Sequence, residues 1–261
     1  MTAAFSTTLV ALGCLGAFLS GLVGVGGAII MVPLLYYVPP LLGVGVLDIR
    51  EVTGITMAQV LVASASAVMV HLRSGAVHRA LALAGGGAMA IGAFSGAITS
   101  RYVSGQTLLL VFALMATTAL PMMFLPVPAS GRGAPTVEVA FNRPLAISMA
   151  GGVGVMAGLV GAGGAFLLVP LFIVVLGIPV RTSIGTSLAV VAVASVAGFV
   201  GKAGTAQIPV WPAVFVLTGS VVGAQLGARL SGRIDTRSLR MVLAALIALS
   251  AARVWINLLY G

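Results

Sequence analysis

Two stretches of this chain offer backbone chemistry rather than side-chain chemistry. Residues 21–35 read GLVGVGGAIIMVPLL and residues 158–172 read GLVGAGGAFLLVPLF. Gly24, Gly26 and Gly27 interrupt the first apolar run; Gly161, Gly163 and Gly164 interrupt the second. A helix broken there restarts at Ala28 and at Ala165. Its first N–H groups then lack internal acceptors and carry partial positive charge. Such an end holds an anion with backbone alone, and glycine lets the ligand approach unobstructed. Pro33 and Pro170 are the expected stops of two short half-helices. The same glycines also suit close helix packing, so two readings stand side by side.

Side chains able to complete an oxyanion site follow each stretch. They are Thr53, Thr56 and Gln59 after the first, then Ser183, Thr186 and Ser187 after the second. Residues three apart share a helix face, so each set presents donors together. Ser and Thr in spans also bond to their own backbone or across helices. Arg50 and Arg181 stand at matching positions before these sets, as a vestibule for anions or as markers of the membrane interface.

Other chemistries find little support. The glycine stretches are not followed by the Lys-Ser/Thr of a phosphate loop, and no soluble strand–helix unit surrounds them. AFSG at 93–96 approaches the GxSG of intramembrane serine proteases, with His71 or His78 as base. The glycines around Ser95 fit packing instead, and both histidines lie in the basic stretch HLRSGAVHR. Cys14 is the only cysteine, and no metal-ligand spacing occurs. No enzyme activity, cofactor or metal is expected.

What must position these residues is a bilayer-embedded helical bundle. The chain is 60% hydrophobic and 7% charged, with mean hydropathy +1.22. Soluble domains carry about 25% charged residues; a protein coated by lipid needs far fewer. The formal net charge of +9 comes from 13 basic residues scattered between apolar runs. That is the pattern of membrane orientation, not of nucleic-acid binding. The four acids, Asp48, Glu51, Glu138 and Asp235, sit at or between the ends of apolar segments. The start MTAAFSTTLV lacks the basic residues of a secretory leader, so the first span is expected to stay in the mature protein.

Breaks cut the chain into apolar segments near 5–37, 50–72, 80–100, 107–125, 144–176, 182–201, 209–229 and 239–260. Most approach the ~20 residues of a membrane helix; the first and fifth are far longer. The halves also repeat. Gly21, Gly24, Gly26, Gly27, Val32 and Pro33 recur as Gly158, Gly161, Gly163, Gly164, Val169 and Pro170. Beyond a loop that is shorter in the second half, Arg50, Gly54, Gly92 and Gly96 recur as Arg181, Gly185, Gly223 and Gly227. The expected organisation is an all-α polytopic membrane protein: a first repeat at 1–125, a polar linker at 126–143 and a second repeat at 144–261. Duplicated halves place a transporter's substrate between them. The glycine series at 92/96 and 219/223/227 reads as helix packing.

If all eight segments cross once, the basic residues divide evenly and give no orientation. If the two long segments dip in and return, the second half is inverted. Arg50, Arg101, Lys202 and Arg253 then share one face and the other nine of the 13 basic residues the opposite one. That positive-inside bias places both termini outside the cytoplasm. Long, kinked, tilted spans are the competing picture.

The doubled GLVG-x-GG-x-x-x-x-VP-[LF] stretch, with IGTSLA at 184–189 and the looser GITMA at 54–58, resembles the TauE/SafE family of sulfite exporters. The resemblance extends over nearly the whole chain. It implies export of small sulfur-containing anions, sulfite or organosulfonates, across the cell inner membrane. The expected partners are thus a small anion and the lipid bilayer, and no motif specifies an oligomeric state. By position, the family's signature falls on Gly24, Gly26, Gly27 and Pro33, and on Gly161, Gly163, Gly164 and Pro170. The first repeat carries Gly54-Ile55-Thr56 where the second has Gly185-Thr186-Ser187, which weakens the hydroxyl contribution of the first half.

Overall fold

The computed structural model describes residues 2–23, 28–73, 77–122, 124, 141–231 and 236–260. Among them are ten helices and no strand: α1 (Ala3–Val23), α2 (Ala28–Leu41), α3 (Ile49–Arg73), α4 (Arg79–Thr99), α5 (Gly105–Met122), α6 (Arg143–Val160), α7 (Ala165–Val174), α8 (Val180–Gly204), α9 (Val210–Ser231) and α10 (Thr236–Tyr260). Seven of these, α1, α3, α4, α5, α6, α8 and α9, are long and apolar enough to cross a membrane. Leu83, Ile91, Val200 and Leu249 project from the outer surface, as side chains facing lipid do. The chain is a polytopic membrane protein. Most of the polar linker, residues 125–140, lies outside the described residues.

The helix starts are written locally. Asp48 accepts from the Arg50 N–H, and Glu51 reaches back to the Asp48 N–H. This capping box satisfies two donors at the start of α3. His78 Nδ1 accepts from the Leu81 N–H at the start of α4. Asn142 does the same for the Leu145 N–H, with Pro144 in the first turn of α6. The expected stops at Pro33 and Pro170 are corrected. Both prolines lie inside helices, which run on to Leu41 and Val174. Proline removes one hydrogen bond near a helix start, and neighbouring helices in a membrane protein tolerate that loss.

The contacts fix the direction of each helix. Gly154 of α6 packs on Met89 of α4, and Gly158 on Ala93; α4 and α6 run parallel. Gly85 of α4 faces Val190 of α8, and Ala97 faces Gly201; these too run parallel. So α6 and α8 point the same way, and α7, between them in sequence, brings the chain back. On the other side, Gly219 and Gly223 of α9 pack on Val10 and Cys14 of α1, again in parallel. Gly45, just past α2, packs against the Phe5 ring at the start of α1, so α2 returns toward the side α1 left. By contrast α3 and α8 run antiparallel. Ser64 Oγ lies 3.3 Å from Ser195 Oγ, while Thr53 near the start of α3 meets Lys202 near the end of α8.

Glycine seams permit these approaches. A Cβ on Gly96 or Gly158 would collide with the carbonyl oxygen of Val155 or Ala93 on the facing helix. The seam levels also place the end of α6: Gly158 lies beside Ala93, about two-thirds of the way along α4 at ~1.5 Å per residue. The break after Val160 is therefore inside the bundle. Gly158→Val should lower stability by on the order of 2 kcal/mol through overpacking. Gly152→Ala, where a Cβ meets open space, should shift it by less than about 1 kcal/mol. Melting temperatures of the two purified variants in detergent test the contrast.

Candidate functional site

The interruption between α6 and α7 is built from three left-handed glycines. Gly161, Gly163 and Gly164 have φ of 71°, 64° and 68°. At Gly161 no other residue fits: besides its backbone conformation, a Cβ would run into the carbonyl oxygen of Thr53 on α3. Gly163 lies against Val60 of α3 and Val191 of α8, and Gly164 against Val153 and Ala157 of α6. The chain thus reverses in the packed interior. The Gly161 and Ala162 N–H groups both go to the Ala157 carbonyl. Among the described residues, the N–H groups of Gly163, Ala165 and Phe166 find no acceptor. Three donors at the N-terminus of α7 thus lack a partner among the described residues, inside the bundle, with the helix dipole behind them.

Beside this turn lies Lys202, with no exposed surface at all. Its Nζ donates to Ser100 Oγ at 2.7 Å, Thr53 Oγ1 at 2.9 Å, Gln207 Oε1 at 3.1 Å and the Leu159 carbonyl at 3.1 Å. Leu159 is two residues before Gly161, and Thr53 is the residue on which Gly161 rests. Gln207 extends the network, its Nε2 donating to the Ala97 carbonyl and to Thr205 Oγ1. The sequence reading counted Lys202 as a loop charge; the structure corrects this. It is the only charged side chain that is fully buried among the described residues. The available signal was its place in AGFVGKAG, apolar on both sides, but three of its four partners come from α3, α6 and the C-cap of α4.

The expected site residues fall into groups. Thr53 of α3 meets the α6–α7 turn at Gly161, and Val60 meets it at Gly163; Thr56 and Gln59 lie on α3 between these two contacts. Ser183, Thr186 and Ser187 are buried but belong to the other end of α8. The Thr186 hydroxyl accepts from the His78 N–H at 2.9 Å, about 24 Å along α8 from Lys202 at ~1.5 Å per residue. The hydroxyls therefore form two polar groups rather than one shell. Most are also committed to backbone: Thr53 donates to the Arg50 carbonyl, Thr56 to Thr53, Ser183 to Ile178 and Ser187 to Ile184. Gln59 differs. It is 1% exposed, and neither end of its amide has a partner among the described residues.

Arg50 is half-buried. It donates through Nη2 to the Val103 carbonyl, and its Nε has no partner among the described residues. A pocket of about 530 Å³ opens on the same end of the bundle, lined by Tyr36, Tyr37, Asp48, Arg253 and Asn257 among others. Gly24, Gly26 and Gly27 lie outside the described residues, as do the side chains of Ala28 and Arg181. Ser95 donates to the Gly92 carbonyl and sits about 25 Å along α4 from His78 at ~1.5 Å per residue, too far for a nucleophile and its base.

Residues 9–254 match the family model described as Sulfite exporter TauE/SafE. The chain belongs to the TauE/SafE family. It is 30% identical over 231 residues to a probable membrane transporter protein of Xylella fastidiosa (strain Temecula1 / ATCC 700964), covering 85% of this chain and 84% of that protein. Its identity to the probable membrane transporter protein YdhB of Bacillus subtilis (strain 168) is 26% over 247 residues, 92% of this chain and 94% of that one. No solved structure matches the chain. As a TauE/SafE protein it is a membrane transporter and not an enzyme.

Within this TauE/SafE bundle, Gln59 has a testable cost. Gln59→Met should stabilise the ligand-free protein by about 1–3 kcal/mol, because it removes two unpaired polar atoms from the interior. The melting temperature should therefore rise. A fall would mean that the amide is already satisfied.

Proposed function

We propose that the chain exports a small sulfur-containing oxyanion, sulfite or an organosulfonate, held at the interior N-terminus of α7. The observation that carries the reading is the return at Gly161–Gly164, where the N–H groups of Gly163, Ala165 and Phe166 find no acceptor among the described residues. Tetrahedral or pyramidal oxyanions suit several converging N–H donors, and broken helices serve this purpose in other transporter folds. Gln59 adds an amide that can donate to the anion. The description of the family, sulfite exporter, supports both the substrate class and the direction. The matching stretch at Gly24, Gly26, Gly27 and Ala28 is assigned the same role by its sequence.

In this reading the halves, 1–125 and 144–261, are inverted repeats in the cell inner membrane. The antiparallel course of α3 and α8, which hold equivalent places in the two halves, supports inversion. So does the pairing of α1 with α9 and of α6 with α4. With Lys202 counted as interior, Arg50, Arg101 and Arg253 share the face of both termini. Arg79, Arg143 and Arg229, at the ends of α4, α6 and α9, lie on the other, to which the order of the sequence also assigns the remaining basic residues, and positive bias makes that face cytoplasmic. Among the described residues no Asp or Glu sits mid-span; Glu51, in the first turn of α3, is held in the helix cap, so a carboxylate proton relay through the membrane has no carrier. That observation favours passive uniport as the second reading; proton flux measured beside anion flux in proteoliposomes separates the two.

Gly164→Val should reduce sulfite flux in proteoliposomes by at least about tenfold, equivalent to about 1.4 kcal/mol, while insertion persists. Unchanged flux in the folded variant would remove the site from the α7 N-terminus. In a Cys14→Ser background, Leu42→Cys and Val175→Cys should react with an impermeant maleimide from opposite sides of the membrane. Labelling of both from one side would reject the inversion.

A further inference from the structure

Lys202 presents an unusual balance of charge. Four oxygens surround an ammonium that has three protons, and all four are neutral: two hydroxyls, an amide and a peptide carbonyl. Among the described residues no carboxylate bonds to it. Asp48 and Glu51, the acids at this end of α3, are tied into the helix cap. The other cation nearby, Arg50, one turn before Thr53, adds positive charge rather than cancelling it. A cation withdrawn from water is costly unless it is paired with an anion. Capping the exposed carbonyls of α6 needs only a neutral donor, so this role alone does not account for a full charge.

We propose that Lys202 is the fixed counter-charge of the transported anion: the ammonium exchanges part of its neutral oxygen shell for an oxygen of a small oxyanion seated at the α6–α7 turn. The inference deepens the oxyanion-transport reading and rests on it. Geometry ties the two places together. Lys202 bonds the Leu159 carbonyl at the end of α6, and it bonds the hydroxyl of Thr53, against whose backbone Gly161 packs. Gln59, on the same helix as Thr53 and unpaired at both amide atoms, is a second buried group without a protein partner. The anion is thus met by a lysine charge on one side and peptide N–H groups on the other. Ser100, which makes the shortest bond to Nζ, holds the ammonium among its neutral oxygens and competes with the substrate.

This assigns Ser100 and Lys202 opposite effects. Sulfite binding to the purified full-length protein, measured by calorimetry in detergent, is the readout. Lys202→Met should weaken it by more than about a hundredfold, and Lys202→Arg by less than about tenfold. Ser100→Ala should tighten binding by about threefold or more, because the ammonium is released from a competing acceptor. A lysine that serves only as a helix cap predicts the reverse for Ser100→Ala: a lower melting temperature with no gain in affinity. Wild-type affinity in a monodisperse Lys202→Met protein, or unchanged or weaker affinity in Ser100→Ala, overturns the counter-charge role. If Lys202→Met does not fold, Ser100→Ala decides alone. If the wild-type protein binds neither sulfite nor a small sulfonate, the transport reading fails and this inference fails with it.

Discussion

A peptide group in hydrocarbon must find its partner within the protein. Water cannot supply one, so a span is a helix or it is nothing, and a helix can be broken only where something else meets the freed groups. The turn from α6 to α7 obeys this rule. The Ala157 carbonyl receives two N–H groups, the Leu159 carbonyl receives the lysine ammonium, and the three glycines take left-handed conformations that tighten the reversal. What is left over is a small set of N–H donors at the start of α7. The architecture follows from protecting this one irregular stretch. α3 lies across it at Thr53 and Val60, α8 at Val191, and α4 holds α6 in place along a glycine seam.

The seams explain how so thin a set of polar residues can be brought together. Where a Cβ would strike a facing carbonyl, two helix backbones lie in contact, and dispersion between them replaces the hydrophobic driving force that lipid removes. Gly92 and Gly96 with Gly154 and Gly158 set the level of α6 on α4 to within a residue. That level decides where the break falls: inside the bundle, not at its surface. Shifting α6 by one turn along α4 would separate Gly161 from Thr53, and Leu159 from Lys202.

Charge is concentrated as sparingly as polarity. The acids at the start of α3 serve as a cap, and the histidine before α4 does likewise. One lysine is carried fully inside. Its shell of neutral oxygens softens the cost of burial without cancelling the charge, which distinguishes it from a buried salt bridge. The proposed transport of an anion would gain from such an arrangement. A permanent carboxylate partner would compete with the substrate, whereas hydroxyls and carbonyls yield.

How much of this was legible in the residues depends on how far each feature reaches along the chain. Membrane insertion, helical class, the long fifth segment and its glycine interruption were all readable. They depend on composition, on run length and on the φ freedom of glycine, which act within a turn or two. The packing of Gly92 and Gly96 was readable for the same reason. Pro33 and Pro170 misled, because a local rule for proline ignores the neighbouring helices that absorb a lost bond. The grouping of hydroxyls also misled. Spacing on one helix shows a shared face but not which partner that face meets, and antiparallel α3 and α8 carry Thr53 and Thr186 to different ends. Lys202 was invisible as an interior charge, since three of its four partners lie 149, 102 and 43 residues away in the chain. The sequence by itself determined the breaks and the family. Tertiary structure alone decided which groups gather at the break, because burial of a charge is a property of the helices around it and not of the residues beside it.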